Sequence, residues 1–175
     1  MRSLTGGAFA WEKCTAYILQ FLWENGVKTM AKTKEMYPDL EITDIFTQEI
    51  YKILLANPEE AFKMLGAFVA PDGNVDEQVR ILIQKSTEWA EKLNRSYLTA
   101  HEAYTAYVQV LFPALIYPVA VLALSETQCD KIVSSAIQAS LKKMHIPVTT
   151  SRLLLYRTAR YGGFDVPNLY VILLK

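Results

Sequence analysis

With 175 residues, 51% of them hydrophobic and 21% charged, the chain is too apolar for intrinsic disorder and can bury about two-thirds of its unfolded surface as one compact domain or two small ones. Two distant cysteines, Cys14 and Cys129, without CxxC or histidine partners at ligand spacing, argue against a disulfide framework or zinc site and suit a reducing compartment. The net charge of zero hides an asymmetry: residues 131–175 hold seven Lys or Arg against one acid, Asp165, while residues 1–130 hold eleven bases and seventeen acids. Such segregation marks either a polyanion-facing surface or two segments that attract each other.

Residues 1–13 are broken by Gly6-Gly7 and read as a loop with one helical turn. Arg2 stands alone, and Gly6, Gly7, Glu12 and Lys13 interrupt any apolar run, so no secretion signal is read and an intracellular location, cytoplasm or nucleus, is expected. Residues 14–23 are rich in aromatic and branched side chains, and Glu24-Asn25-Gly26 separates them from Val27-Lys28-Thr29-Met30. Asn-Gly between such runs predicts a β-hairpin, because both residues accept the positive φ of a type I′ turn. A helix over 14–22 competes, since Tyr17, Ile18 and Phe21 also align helically. Residues 31–44 are polar and contain Pro38, reading as a loop or a short edge strand ending near Ile42. Residues 45–55 could form strand or helix, and Asn57-Pro58 stops either.

The apolar run 62–69 has the length and turn-bounded ends of a buried strand, stopped by Pro71 and Gly73. A helix over 74–95 is predicted next, opened by an Asn74–Glu77 capping box and carrying Val79, Leu82, Ile83, Trp89, Ala90 and Leu93 on one stripe. Thr99 with Glu102, and Ser125 with Gln128, announce two more helices by the same signature. Between them residues 107–124 have one polar side chain, Gln109, which brushes the threshold for a membrane span. Pro113 and Pro118 would free backbone groups that lipid cannot satisfy, and no basic cluster flanks the segment, so it reads as the kinked central helix of a bundle and not as a membrane element. The third helix is expected to bury Cys129, Ile132, Val133, Ala136, Ile137, Leu141 and Met144 and to end before Pro147. The pattern is α+β: a small antiparallel β portion, hairpin plus strand, over residues 1–73, then a helical bundle over 74–175.

Lys142 and Lys143 fall in the last turn of that third helix, where positive charge suits the helix dipole or a phosphate. The tail interleaves Arg152, Arg157, Arg160 and Tyr161 ahead of a Gly162-Gly163 turn, as surfaces that stack bases and hold phosphates do, although tyrosines beneath arginines need no ligand. Catalytic signatures are missing: there is no Gly-x-Gly-x-x-Gly, Gly-Lys-Ser/Thr or Gly-x-Ser-x-Gly, and His101 and His145 lack a nucleophile at triad-like spacing. Asp72, Asp76 and Glu77 read better as acids at a helix N-terminus than as metal ligands.

Gly6-Gly7-Ala8 before Lys13-Cys14, Trp23 with Asn25-Gly26, Leu65-Gly66 ahead of Ala70-Pro71-Asp72-Gly73 and Glu77, and Trp89-Ala90 form one series of landmarks. Tyr117-Pro118, Gln128-Cys129, Leu141-Lys142-Lys143-Met144, Arg152, and Gly162-Gly163 with Leu169-Tyr170 continue it across nearly the whole chain. In this order the chain resembles the region downstream of the catalytic aspartates in reverse transcriptase-like proteins of retrotransposon origin from microbial eukaryotes. The resemblance implies the end of a polymerase palm over 1–73 and a helical thumb over 74–175 that grips an RNA or DNA primer–template duplex. It makes Lys13 a triphosphate-facing catalytic candidate, suited to act as a charge or proton donor to the leaving pyrophosphate, and Leu65-Gly66 a primer-contacting hairpin. Lys142, Lys143, Arg152, Arg157, Arg160 and Tyr161 are the expected nucleic-acid contacts.

The aspartates that hold two magnesium ions in such polymerases would lie upstream of Met1, and no Tyr/Phe-x-Asp-Asp occurs here. No cofactor or metal is therefore expected in this chain, and it is not expected to polymerise alone. Arg157-Thr158 also departs from the Gly-Pro often found at that place. The expectation is a fragment of a retroelement reverse transcriptase, truncated or decayed, whose remaining role is duplex binding, with an upstream palm segment as a further partner. The alternative is a helical protein-interaction domain that binds no nucleic acid.

Overall fold

The computed structural model describes residues 14–43, 48–64 and 66–174. The 1–13 loop, Lys13 and Leu65 thus lie outside the described residues. The fold is α+β, with short strands in the N-terminal part and helices after them. The chain divides into two compact units, Met1–Lys63 with Val69–Asn74, and Met64–Phe68 with Val75–Lys175.

In the first unit, β2 (Phe21–Glu24) and β3 (Val27–Met30) pair antiparallel with Glu24 opposite Val27. Asn25 (φ 51°) and Gly26 (φ 78°) between them are both left-handed, the hairpin that Asn-Gly predicts, and no helix forms over the described part of 14–22. The 14–23 run is not one strand, however. It breaks after β1 (Thr15–Tyr17), which pairs parallel to β5 (Ile50–Ala56) with Thr15 beside Leu54. β4 (Leu40–Thr43) adds antiparallel on the far side of β5, so the order is β1-β5-β4 and the polar stretch does supply an edge strand. Along β5, Ile53 and Leu55 are buried while Lys52 and Leu54 are exposed, the two-residue period of a half-buried strand. Loop bonds complete the unit: the wholly buried Thr33 donates its hydroxyl to the Ile18 carbonyl (3.0 Å), and the Leu55 N–H donates to the Asp39 carboxylate (3.1 Å).

The 62–69 run is two short strands, β6 (Phe62–Met64) and β7 (Ala67–Val69), with Gly66 at φ 91° in the turn between them. The expected single strand is corrected to a hairpin. A short apolar run has no period that separates the two, and the left-handed glycine decides it.

The second unit holds α1 (Asp76–Arg95), α2 (Ala100–Ala106), α3 (Phe112–Val119), α4 (Glu126–Lys143), α5 (Arg152–Tyr156) and α6 (Leu169–Leu173). The capping boxes at Thr99 and Ser125 both form: the Thr99 N–H donates to Glu102 (2.8 Å) and the Ser125 N–H to Gln128 (2.9 Å), each with its reciprocal bond. The box expected at Asn74 does not. Val75 occupies the N-cap position of α1 without a side-chain cap, and both Glu77 carboxylate oxygens turn to Arg80, at 3.0 and 2.7 Å. The Asn74 N–H, which Glu77 would have accepted, donates instead to the Asp72 carboxylate (2.7 Å), and Glu77 gains two charge-assisted bonds to a guanidinium.

The expected stripe of α1 is buried at Val79, Leu82, Ala90 and Leu93, joined by Gln78 and Ser86. Gln78 accepts the Phe68 N–H (2.6 Å), while the Ser86 and Thr87 hydroxyls face α4 and meet Ser135 Oγ at 3.2 and 3.3 Å, and Ala90, Ala103 and Ala139 keep the packed surfaces small. Leu82, Tyr107, Leu111, Leu115, Val119, Ile132 and Leu169, none more than 3% exposed, make the main core. Full burial of such a side chain stabilises by about 1.5–3 kcal/mol. Within the 107–124 segment, Pro113 cannot donate and its ring crowds the carbonyl four residues back. The chain widens there into a π-turn, Tyr107–Leu111, and the Phe112 N–H reaches the Tyr107 carbonyl. No helix among the described residues is long and apolar enough to cross a membrane.

Candidate nucleic-acid interface

The basic residues of the tail reach three separate places. Lys143, at the end of α4, donates from Nζ to the Ser96 carbonyl (2.6 Å), the C-cap of α1. A cation there satisfies a carbonyl that α1 cannot pair and complements the negative end of its dipole. Lys142, the next residue back, is exposed and makes no ion pair among the described residues. The pair that reads as one basic dipeptide therefore splits between a structural contact and an open charge.

Arg152 opens α5 and is bound to Asp130, in the second turn of α4, by an ion pair and hydrogen bond. That hydrogen bond, and then the Asp130 charge, push the Arg152 guanidinium above its ordinary value. Asp130 and Lys142 are twelve residues apart on one helix, roughly 18 Å at 1.5 Å per residue. Arg152 and Lys142 thus occupy opposite ends of α4.

Arg157, Arg160 and Tyr161 converge. The guanidinium carbons of Arg157 and Arg160 lie 5.7 and 5.9 Å from the centre of the Tyr161 ring, which is 61% exposed. This is cation–π distance, worth about 0.5–1 kcal/mol at an exposed site. A 3₁₀ turn, Ala159–Tyr161, brings the three together, and Gly162 at φ 77° ends it. Gly163 then passes so close to Arg157 that an added Cβ would stand 2.0 Å from the Arg157 carbonyl oxygen. The returning chain is tied by N–H bonds from Phe164 to Leu154 (3.1 Å), Asp165 to Arg157 (2.9 Å) and Val166 to Leu155 (2.9 Å). Tyr104 donates its hydroxyl to the Asp165 carbonyl (3.0 Å). Arg157 is therefore presented from a fixed backbone, and neither it nor Arg160 has an ion-pair partner among the described residues.

A groove of about 470 Å³ lies beside Arg157, lined by Glu126, Asp130, Arg152, Leu153, Tyr156, Arg157, Asn168 and Val171. Burial first, and the Asp130 carboxylate second, raise the Tyr156 phenol above its ordinary value, so it stays a neutral donor. Arg152 and Asp130 cancel inside the groove, which Glu126 and Arg157 also line.

Gly66 lies exposed in the turn of the β6–β7 hairpin, while Lys13 and Leu65 lie outside the described residues. No group of three or more His, Cys, Asp or Glu that could hold a metal ion occurs among the described residues. Sequence reasoning missed Asp130 and the Ser96 carbonyl, which take up Arg152 and Lys143 from 22 and 47 residues away. No local pattern signals partners at such separations. Compared with protein-family models, with curated proteins and with solved structures, the chain matches none of them.

Proposed function

We propose that the helical unit binds nucleic-acid duplex, as the thumb-like part of a chain derived from a retroelement reverse transcriptase. The observation that carries this reading is the convergence of Arg157 and Arg160 on an exposed Tyr161 in a loop whose backbone is fixed. Two unpaired guanidiniums around an aromatic ring combine phosphate attraction with a stacking surface. Lys142 adds a third open cation. Arg152 and Lys143 leave the set of contacts, because Asp130 and the Ser96 carbonyl occupy them. No polymerase step is assigned to this chain, which has no Tyr/Phe-x-Asp-Asp. Lys13 and two magnesium ions enter only with an upstream palm.

The test is fluorescence anisotropy of a labelled RNA–DNA duplex across a salt series. Three phosphate contacts give a slope of log affinity against log salt of about −2.7, and Arg157→Ala or Arg160→Ala each reduce its size by about one. No binding at low salt, or a slope near zero, rejects the reading. A second reading, a helical protein-interaction domain, is favoured by the Arg152–Asp130 pair, which joins the basic segment to the acidic one, and by Leu153 and Val171, 77% and 49% exposed on the groove. Under it, no duplex binds and thermal stability falls steeply with salt, because internal opposite charges are screened.

A further inference from the structure

The groove beside α5 has a chemistry that duplex binding does not use. Its volume of about 470 Å³ falls within the range of small-ligand sites, about 300–1,000 Å³. One wall is apolar and open, with Leu153 on α5 and Val171 on α6 at 77% and 49% exposure. Of its four charged residues, Arg152 and Asp130 neutralise each other, whereas Glu126 and Arg157 have no ion-pair partner among the described residues. Glu126 stands one turn before Asp130 on α4, and Arg157 follows Arg152 by five residues across α5. Each unpaired charge is thus about 6–8 Å, along its own helix, from the ion pair that joins the two helices. Two neutral donors complete the lining. Asn168 gives its side-chain oxygen to the Tyr170 and Val171 N–H groups (2.9 and 3.2 Å), which leaves its own amide N–H groups as donors. Tyr156 keeps its phenolic proton because burial raises it above its ordinary value.

We propose that this groove binds a short apolar peptide of two or three residues, with its ammonium end on Glu126, its carboxylate end on Arg157 and its side chains on Leu153 and Val171. Charge complementarity selects this occupant. A fatty acid would meet Arg157 and leave Glu126 facing an anion, and an alkyl amine would leave Arg157 unmet. A free amino acid carries both charges but has no peptide carbonyl to accept from Tyr156 and Asn168. It is also short, whereas two or three extended residues span about 7–11 Å. Arg157 is shared with the duplex surface, yet the peptide site does not depend on duplex binding.

The experiment titrates the full chain with leucylleucine by isothermal titration calorimetry, beside the N-acetylated dipeptide, which lacks the ammonium, and the C-terminal amide, which lacks the carboxylate. The wild type binds leucylleucine with a Kd of about 0.1–1 mM, ordinary for a ligand of this size, and each blocked peptide about fivefold or more weakly. Glu126→Gln, at an exposed position, weakens leucylleucine by a similar factor and removes the difference between the free and the acetylated peptide. Arg157→Gln, also exposed, does the same for the free and the amidated peptide. In nuclear magnetic resonance spectra the peptide shifts the Leu153 and Val171 methyls and leaves those of the buried Leu115 in place. No heat and no methyl shift at about 10 mM leucylleucine overturns the site. Equal affinity for free and blocked peptides overturns recognition of the charged ends. A penalty for acetylation that persists in Glu126→Gln, or for amidation in Arg157→Gln, overturns the residue assigned to that end, and shifts confined to methyls outside the groove overturn its location.

Discussion

Replacing Gly163 by Ala tests whether the arginine loop is held as tightly as its geometry requires. The new Cβ would stand 2.0 Å from the Arg157 carbonyl oxygen, 2.4 Å from its carbon and 2.6 Å from the Arg157 Cβ. Ordinary contact needs about 3.5 Å, so the two backbone segments must part by about 1.5 Å. The Phe164, Asp165 and Val166 N–H bonds cross that gap, and Val166 behind them is 4% exposed. Losing two such bonds at about 1 kcal/mol each, with part of the Val166 burial, destabilises by about 3–4 kcal/mol. Opposing this, Gly163 has no left-handed φ, so alanine restrains the unfolded chain and returns about 0.4–1 kcal/mol. The net expectation is a loss of about 3 kcal/mol, read as a lower urea midpoint by far-ultraviolet circular dichroism, which reports the helices. Gly162→Ala is the control: it has φ 77° and nothing within 4 Å, so strain alone costs about 1 kcal/mol. If Gly163→Ala is as stable as the wild type, the close approach to Arg157 is not real and the fixed presentation of Arg157 fails with it.

The two adjacent lysines should separate cleanly. Lys143→Met loses a charge-assisted bond to Ser96 and about 1–2 kcal/mol of stability in urea without changing the salt slope of duplex binding, whereas Lys142→Ala leaves stability unchanged and lowers the slope by about one. The Glu102 carboxyl is held below its ordinary value by the Thr99 N–H and then the Thr99 hydroxyl. A depressed folded pKa contributes stability that is present above the ordinary carboxylate range and is lost as pH falls through and below it. Urea midpoints measured from neutral pH down to about pH 3 should therefore fall less in Glu102→Gln than in the wild type, and equal falls would contradict the sign. Leu115→Ala, at 0% exposure in the main core, should cost about 2–5 kcal/mol by the same denaturation assay.

How much of this molecule its sequence determined depends on how far apart the interacting atoms are along the chain. The Asn25-Gly26 hairpin was legible because two left-handed residues are enough to specify the turn. The Thr99–Glu102 and Ser125–Gln128 boxes were legible because donor and acceptor are three residues apart. The stripes of α1 and α4 follow from helical period alone. Where a second partner of comparable reach exists, the local rule fails: Glu77 takes Arg80, the Asn74 N–H takes Asp72, and the reciprocal box does not close. The run 62–69 carried no period, so only the backbone shows a hairpin with Gly66 at its turn. The parallel pairing of β1 with β5 joins strands more than thirty residues apart, which no turn signal anticipates. The candidate interface divides along the same line. Composition and spacing singled out the basic and aromatic residues of the tail. Tertiary structure decided that Arg152 and Lys143 are occupied and that Arg157 and Arg160 gather on Tyr161, because a cation's availability is set by whichever acceptor the fold brings beside it.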